Sequence, residues 1–248
     1  MRLGVILAAA GAFLLSATPA ALAGQTQVAV AANFTAPAKD IAAAFKDKTG
    51  NDVALSFGAS GQFYAQIQQG APFQVFLSAD ADRPKAAVEA GLAVADSRFT
   101  YAIGKLVLWS KSVDVTKGDE ALKANAFLKL SIANPKSAPY GAAAIEAMTK
   151  LGVYDAIQPK IVQGASIAQA FEFVDTGNAA LGFVALSQLA NVSEGSRWIV
   201  PETLYAPIRQ DAVLLKTGAD DETAKAFLAF LKGPEARAII GKYGYGLE

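Results

Sequence analysis

Apolar residues along the chain switch repeatedly between short continuous runs and a helical spacing. Thr26 to Ala31 reads as a strand carried by Val28 and Val30. Beyond it, Ala38, Ile41 and Phe45 form one stripe of a helix that runs to about Thr49, with Pro37 in its first turn and Gly50 as its stop. The alternation repeats: strand Val53 to Phe57, helix Gln62 to Gln69; strand Val75 to Ser78, helix Arg83 to Ala90. A longer β-rich stretch covers Thr100 to Ser110. Then come strand Leu128 to Ala133, helix Ala142 to Leu151, strand Ile161 to Gln163 and helix Ile167 to Thr176. Strands at Leu181 to Ala185, Trp198 to Val200 and Arg209 to Leu215 precede two closing helices, near Asp221–Leu231 and Pro234–Tyr243. Alternation this dense predicts an α/β fold with largely parallel sheets. No tandem repeat, low-complexity tract or Pro/Gly/Ser linker interrupts it, so any two domains are joined by strands rather than by a flexible tether.

The first residues follow a different pattern. Met1-Arg2 supplies a positive start, Leu3 to Leu15 an apolar run, and Ala21-Leu22-Ala23 a small-residue cleavage site. Together they predict a signal peptide over residues 1–23. The run is too short for a membrane span, which needs roughly 20 residues.

Composition narrows the chemistry. The chain has 22 basic and 22 acidic residues, no cysteine and no histidine. The balance offers nothing to draw it to nucleic acid or anionic lipid. Without Cys there are no disulfides and no lipid-anchored N-terminal Cys. Without His or Cys there is no ordinary zinc site, no Cys nucleophile and no Ser-His-Asp triad. Carboxylate-based hydrolases and Ser-Lys pairs remain open on composition alone.

Four segments share a strand, a short polar or glycine-bearing turn, and a helix start: Ala32-Asn33-Phe34-Thr35, Gly58-Ala59-Ser60-Gly61, Ala138-Pro139-Tyr140-Gly141 and Gly164-Ala165-Ser166-Ile167. In an α/β sheet such turns lie at the carboxyl ends of strands, where ligands bind. Each helix start exposes unpaired N–H groups and the positive end of a dipole, so together they can hold an anion without Lys or Arg. The Asn33 amide, the Ser60 and Ser166 hydroxyls and the Tyr140 phenol add uncharged donors. None of the four turns contains Asp or Glu. A phosphate that keeps a proton needs an acceptor, so the set favours a fully deprotonated oxyanion. The competing reading is that these residues are simply helix N-caps. It is weakest for Tyr140, since a Tyr between Pro and Gly is no capping preference.

The same segments resemble the ModA-type molybdate-binding proteins of ABC transporters, along nearly the whole chain after residue 23. The carriers are Val28-Ala29-Val30-Ala31-Ala32-Asn33-Phe34, Phe57-Gly58-Ala59-Ser60-Gly61 and the Gly70-Ala71-Pro72-Phe73 to Ser78-Ala79-Asp80 stretch, with Leu231-Lys232-Gly233-Pro234 and Tyr243-Gly244-Tyr245 at the end. Asn33 and Pro139-Tyr140-Gly141 are similar to the Azotobacter-like branch rather than the enterobacterial one; the latter carries a Tyr where this chain has Ala185.

The resemblance implies a two-lobed periplasmic binding protein of type II fold with the ligand in the interlobe cleft. Lobe I would be 24–103 plus 207–248 and lobe II 104–206, with crossings near Thr100–Lys105 and Tyr205–Arg209. It implies a molybdate or tungstate ligand held through Asn33 and Ser60 of the first lobe, with main-chain help from Ala59 or Ser60. Tyr140 and the N–H of Ile167 would hold it from the second. Ala32 departs from the pattern, because the branch can carry a ligand hydroxyl there. Also implied are a monomer delivering its ligand to an ABC permease, no cofactor and no catalytic step. Asp80, Asp82, Arg83 and Lys85 fall where a lobe could meet the transporter, or are an ordinary solvated helix start. Two alternatives share the scaffold: binding of another tetrahedral oxyanion such as sulfate, or a non-transport oxyanion sensor.

Overall fold

Residues 24–248 are described by a computed structural model; the expected signal peptide, 1–23, lies outside the described residues. Strands β1 (Gln25–Ala31), β2 (Asp52–Gly58), β3 (Val75–Leu77) and β4 (Phe99–Gly104) alternate with helices α1 (Thr35–Thr49), α2 (Ser60–Gln68) and α3 (Asp82–Glu89). The chain then crosses to β5 (Leu106–Ser110), α4 (Gly118–Ala124), β6 (Leu130–Ala133), α5 (Pro139–Lys150) and α6 (Tyr154–Ile157). It continues through β7 (Ile161–Gly164), α7 (Ile167–Asp175), β8 (Leu181–Ala185) and β9 (Ser196–Ile199), and returns as β10 (Ile208–Leu214), α8 (Glu222–Lys232) and α9 (Pro234–Lys242).

These strands form two five-stranded sheets, β2-β1-β3-β10-β4 and β7-β6-β8-β5-β9. The sheets are mixed, not largely parallel as expected. β1 runs parallel to β2 and β3, and β6 to β7 and β8. β10 is antiparallel to β3 and β4, and β5 to β8 and β9. The reversed strands adjoin the two passages between sheets. A strand entering from the other sheet arrives without a crossover helix, so nothing forces it parallel. The passages lie side by side: Gly104 pairs with Ile208, and the Leu106 N–H donates to the Tyr205 hydroxyl at 3.1 Å.

Helices cover both faces of each sheet, which is why the strands read as continuous apolar runs. Behind the first sheet, Ile41 and Phe45 of α1 pack with Phe227 of α8 and Ile240 of α9. Phe45 meets Phe227 edge-on at 5.5 Å, and burying such a ring contributes about 1.5–3 kcal/mol. Gly50, at φ 75°, ends α1 in the left-handed conformation expected of a stop. On the other face, Phe63 and Ile67 of α2 pack on Phe76. In the second sheet Leu106 and Leu108 face α5 while Val107 and Trp109 face α7, where Trp109 stacks on Phe171 at 4.8 Å. The sequence begins its sixth strand too early: Leu128 is 87% exposed and pairing starts at Leu130.

Candidate functional site

Register places the four turns together. Ala31 at the end of β1 lies opposite Gly58 at the end of β2, and Ala133 at the end of β6 opposite Gly164 at the end of β7. The two pairs of strand ends face each other across the gap between sheets. The gap is closed: the Gly61 N–H donates to the Ser137 carbonyl at 2.9 Å, and Arg83 reaches the Lys136 carbonyl at 3.1 Å. Ala31, Ala32, Ala59 and Ala79 of the first half belong to the same packed cluster as Ala138, Tyr140 and Ile167 of the second.

Within that contact is a small cavity. Its walls are Ala31, Ala32, Asn33, Gly58, Ala59, Ser60, Ala79, Ala138, Pro139, Tyr140 and Ile167. Asn33, Ser60, Tyr140, Ile167, Ala59 and Ala32, the six residues that the resemblance implied, line it, and no charged side chain does. Ser60 opens α2 and Ile167 opens α7; Tyr140 is the second residue of α5, behind Pro139. Main-chain N–H groups in a first turn have no intrahelical acceptor. The next donors in line are spent: Gln62 and Phe63 return to the Ala59 carbonyl, and Gly141 and Ala142 to the Ala138 carbonyl. Three helix dipoles therefore converge on an uncharged hollow. The Ser60 hydroxyl accepts from the Ala79 N–H at 2.9 Å, so its own proton is free to donate inward.

The other expected side-chain donors point elsewhere. Both amide protons of Asn33 are taken, one by Gln210 Oε1 at 2.8 Å and one by the Tyr245 hydroxyl at 2.9 Å. The Tyr140 phenol accepts from Gln210 Nε2 at 3.1 Å. Asn33 and Tyr140 nonetheless line the cavity. Ser166 does not line it; its hydroxyl accepts from the Gln169 N–H at 3.4 Å as the N-cap of α7. The capping reading therefore holds for Ser166, and its neighbour Ile167 lines the cavity.

Behind the cavity lies a polar cluster that the sequence reading missed. Tyr101 reaches Gln210 Oε1 at 3.1 Å and the Ser78 carbonyl at 3.0 Å. The Tyr245 and Ser187 hydroxyls both contact the Asn33 carbonyl at 2.8 Å and each other at 2.9 Å. Asn33, Tyr101, Gln210 and Tyr245 come from the first half, Tyr140 and Ser187 from the second. A signal existed: Arg209-Gln210-Asp211 sets three polar residues in a row within the strand Ile208–Leu214, so at least one must point into the core, and a buried polar residue in a central strand needs partners. Asp211 finds them in Arg98 and Thr100. Burial drives the phenols of Tyr101, Tyr140 and Tyr245 well above their ordinary value, so near neutral pH the cluster is uncharged.

Of the candidate docking residues, Asp80 and Arg83 pair with each other at the rim of the cleft, while Asp82 and Lys85 are exposed. Among the described residues, no group of three or more Cys, His, Asp or Glu could hold a metal ion, and no helix is long and apolar enough to cross a membrane.

The profile of the family described as bacterial extracellular solute-binding protein matches residues 26–246. The chain is 62% identical to the molybdate-binding protein ModA of Rhodobacter capsulatus over 232 residues, which cover 94% of this chain and 92% of that one. It is 57% identical to the molybdate-binding protein ModA of Azotobacter vinelandii, over 98% of this chain and 97% of that one. Among solved structures, the Azotobacter vinelandii periplasmic molybdate-binding protein superposes with a TM-score of 0.86 at 42% identity, covering 90% of this chain and 99% of its own.

Proposed function

The chain belongs to the bacterial extracellular solute-binding protein family, within its molybdate-binding ModA group, and from that premise we propose that it captures molybdate, and tungstate with it, for an ABC importer. The anion sits in the small cavity between the sheets. Ser60 gives it a hydroxyl and an N–H; Asn33, Tyr140 and Ile167 give it main-chain N–H groups; Ala59 and Ala32 complete the wall. The lobes are 24–103 with 207–248, and 104–206. They close on the ion and present a joint surface to the permease, with Asp82 and Lys85 as exposed charges on that face. The protein works as a monomer in the periplasm, reached through a signal peptide over 1–23, and performs no catalytic step.

One observation carries this reading: a closed, uncharged hollow where three helices begin, with no Asp or Glu on its walls. A buried dianion is tolerable only where its oxygens find donors. Bonds to a charged group contribute about 1.5–3 kcal/mol each, so several supply the roughly 8 kcal/mol of micromolar binding. A ligand that keeps a proton would find no carboxylate acceptor there. Isothermal titration with molybdate, tungstate, sulfate and phosphate tests the assignment. Molybdate and tungstate should saturate one site at micromolar concentration or below, with phosphate silent. Micromolar sulfate binding without molybdate binding would overturn it.

A further inference from the structure

The cluster behind the cavity is made of side chains that bond to one another and tie the two halves together. We infer that Gln210 is a positioning residue that latches the closed form, and so sets how fast a bound oxyanion leaves. The inference rests on the oxyanion reading of the cavity. Gln210 sits on β10 just beyond the second passage, at an irregularity in register between Gln210 and Asp211. Its side chain is fully buried. Oε1 is held within its own half by Asn33 and Tyr101, which leaves Nε2 to reach across to the Tyr140 hydroxyl.

Tyr140 links the two functions. It lines the cavity while its phenol receives the latch, so opening the cleft removes both at once. The meeting point leaves no room for another side chain: a Cβ on Gly104 would lie 2.1 Å from the Tyr140 hydroxyl and 2.6 Å from Gln210 Nε2. In the open form water serves both groups, and in the closed form they serve each other. The bond therefore weighs on the closed state alone. Were the phenol removed, Gln210 Nε2 would be buried without an acceptor on closure, which costs more than a hydrogen bond gains.

A double-mutant cycle on Gln210→Leu and Tyr140→Phe, titrated with molybdate and followed by release on dilution into excess tungstate, tests this. Each single change should weaken molybdate binding about tenfold, mostly through faster release, and the double variant should be little worse than either. Additive effects would mean that the phenol acts on the ion directly, and would overturn the latch, as would an unchanged release rate in Tyr140→Phe. That variant leaves Gln210's other partners in place, so its release rate can still overturn the latch if Gln210→Leu does not fold. Wild-type protein that takes up no molybdate would instead bring down the functional reading and this inference with it.

Discussion

Two polar regions lie back to back at the junction of the sheets, built on opposite principles. Five of the eleven residues that wall the cavity are alanine, and the donors we assign to it are main-chain N–H groups at helix starts with the Ser60 hydroxyl. The cluster behind it is entirely side chain: an amide pair, three phenols and a serine, bonded to one another or to nearby carbonyls. The difference separates two tasks. Donors for a small anion must be fixed before it arrives, and helix starts are rigid. Holding a closed form requires bonds that break on opening, and side chains that water can serve in the open state allow that.

The most damaging single change to the cavity is Ser60→Ala. It removes a donor to the ion and leaves the Ala79 N–H without its acceptor. Affinity measured by calorimetry should fall by about 1.5–3 kcal/mol, with the fold intact. Gly61→Ala acts on closure instead. Its Cβ would stand 2.9 Å from the Ser137 Cα of the opposite half, a backbone clash relieved only by parting the lobes. Binding should weaken by about 1–3 kcal/mol while the ligand-free protein keeps its melting temperature. If that temperature falls in step with affinity, Gly61 matters for stability and not for closure.

The contrast sharpens in the other direction with Ala32→Ser, which adds a side-chain donor to the main-chain cavity. Ala32 lines the cavity and is 6% exposed, so the hydroxyl should tighten molybdate binding by about 1 kcal/mol. The smallest effect concerns pH. The raised phenols of Tyr101, Tyr140 and Tyr245 contribute a stability that is complete below the ordinary phenol value of 10.0. It is lost as the pH climbs above that value towards theirs. Denaturant midpoints should therefore be indifferent to these groups between about pH 6 and 9 and decline above about 10. Affinity should be flat over the neutral range, since no cavity side chain titrates there.

Much of the fold was legible because burial on both faces writes itself as period. Leu181–Ala185 is the strand the apolar run marks out, and α1 follows its Ala38, Ile41, Phe45 stripe. α4 escaped notice because Gly118 to Ala124 carries Leu122 as its only large apolar residue, too little for a stripe. Strand direction escaped too, since nothing in the residues of β5 or β10 records which way a neighbour runs. The meeting of the turns around one cavity was legible, because turns after strands converge at the carboxyl ends of a sheet. Its roles were not. The pairing of the Asn33 amide and the Tyr140 phenol with Gln210 joins residues far apart in the chain, which no local spacing records. Both serve the cluster at Gln210 with those side chains.

Central to the account is that main-chain N–H groups, not the Asn33 amide or the Tyr140 phenol, grip the oxyanion. Amide proton shifts of ¹⁵N-labelled protein titrated with molybdate test this directly. The account predicts that the largest downfield movements belong to the backbone amides of Ser60, Tyr140 and Ile167, with the Asn33 side-chain NH₂ moving far less. It is contradicted if that NH₂ shows the dominant shift and the three backbone amides stay where they are.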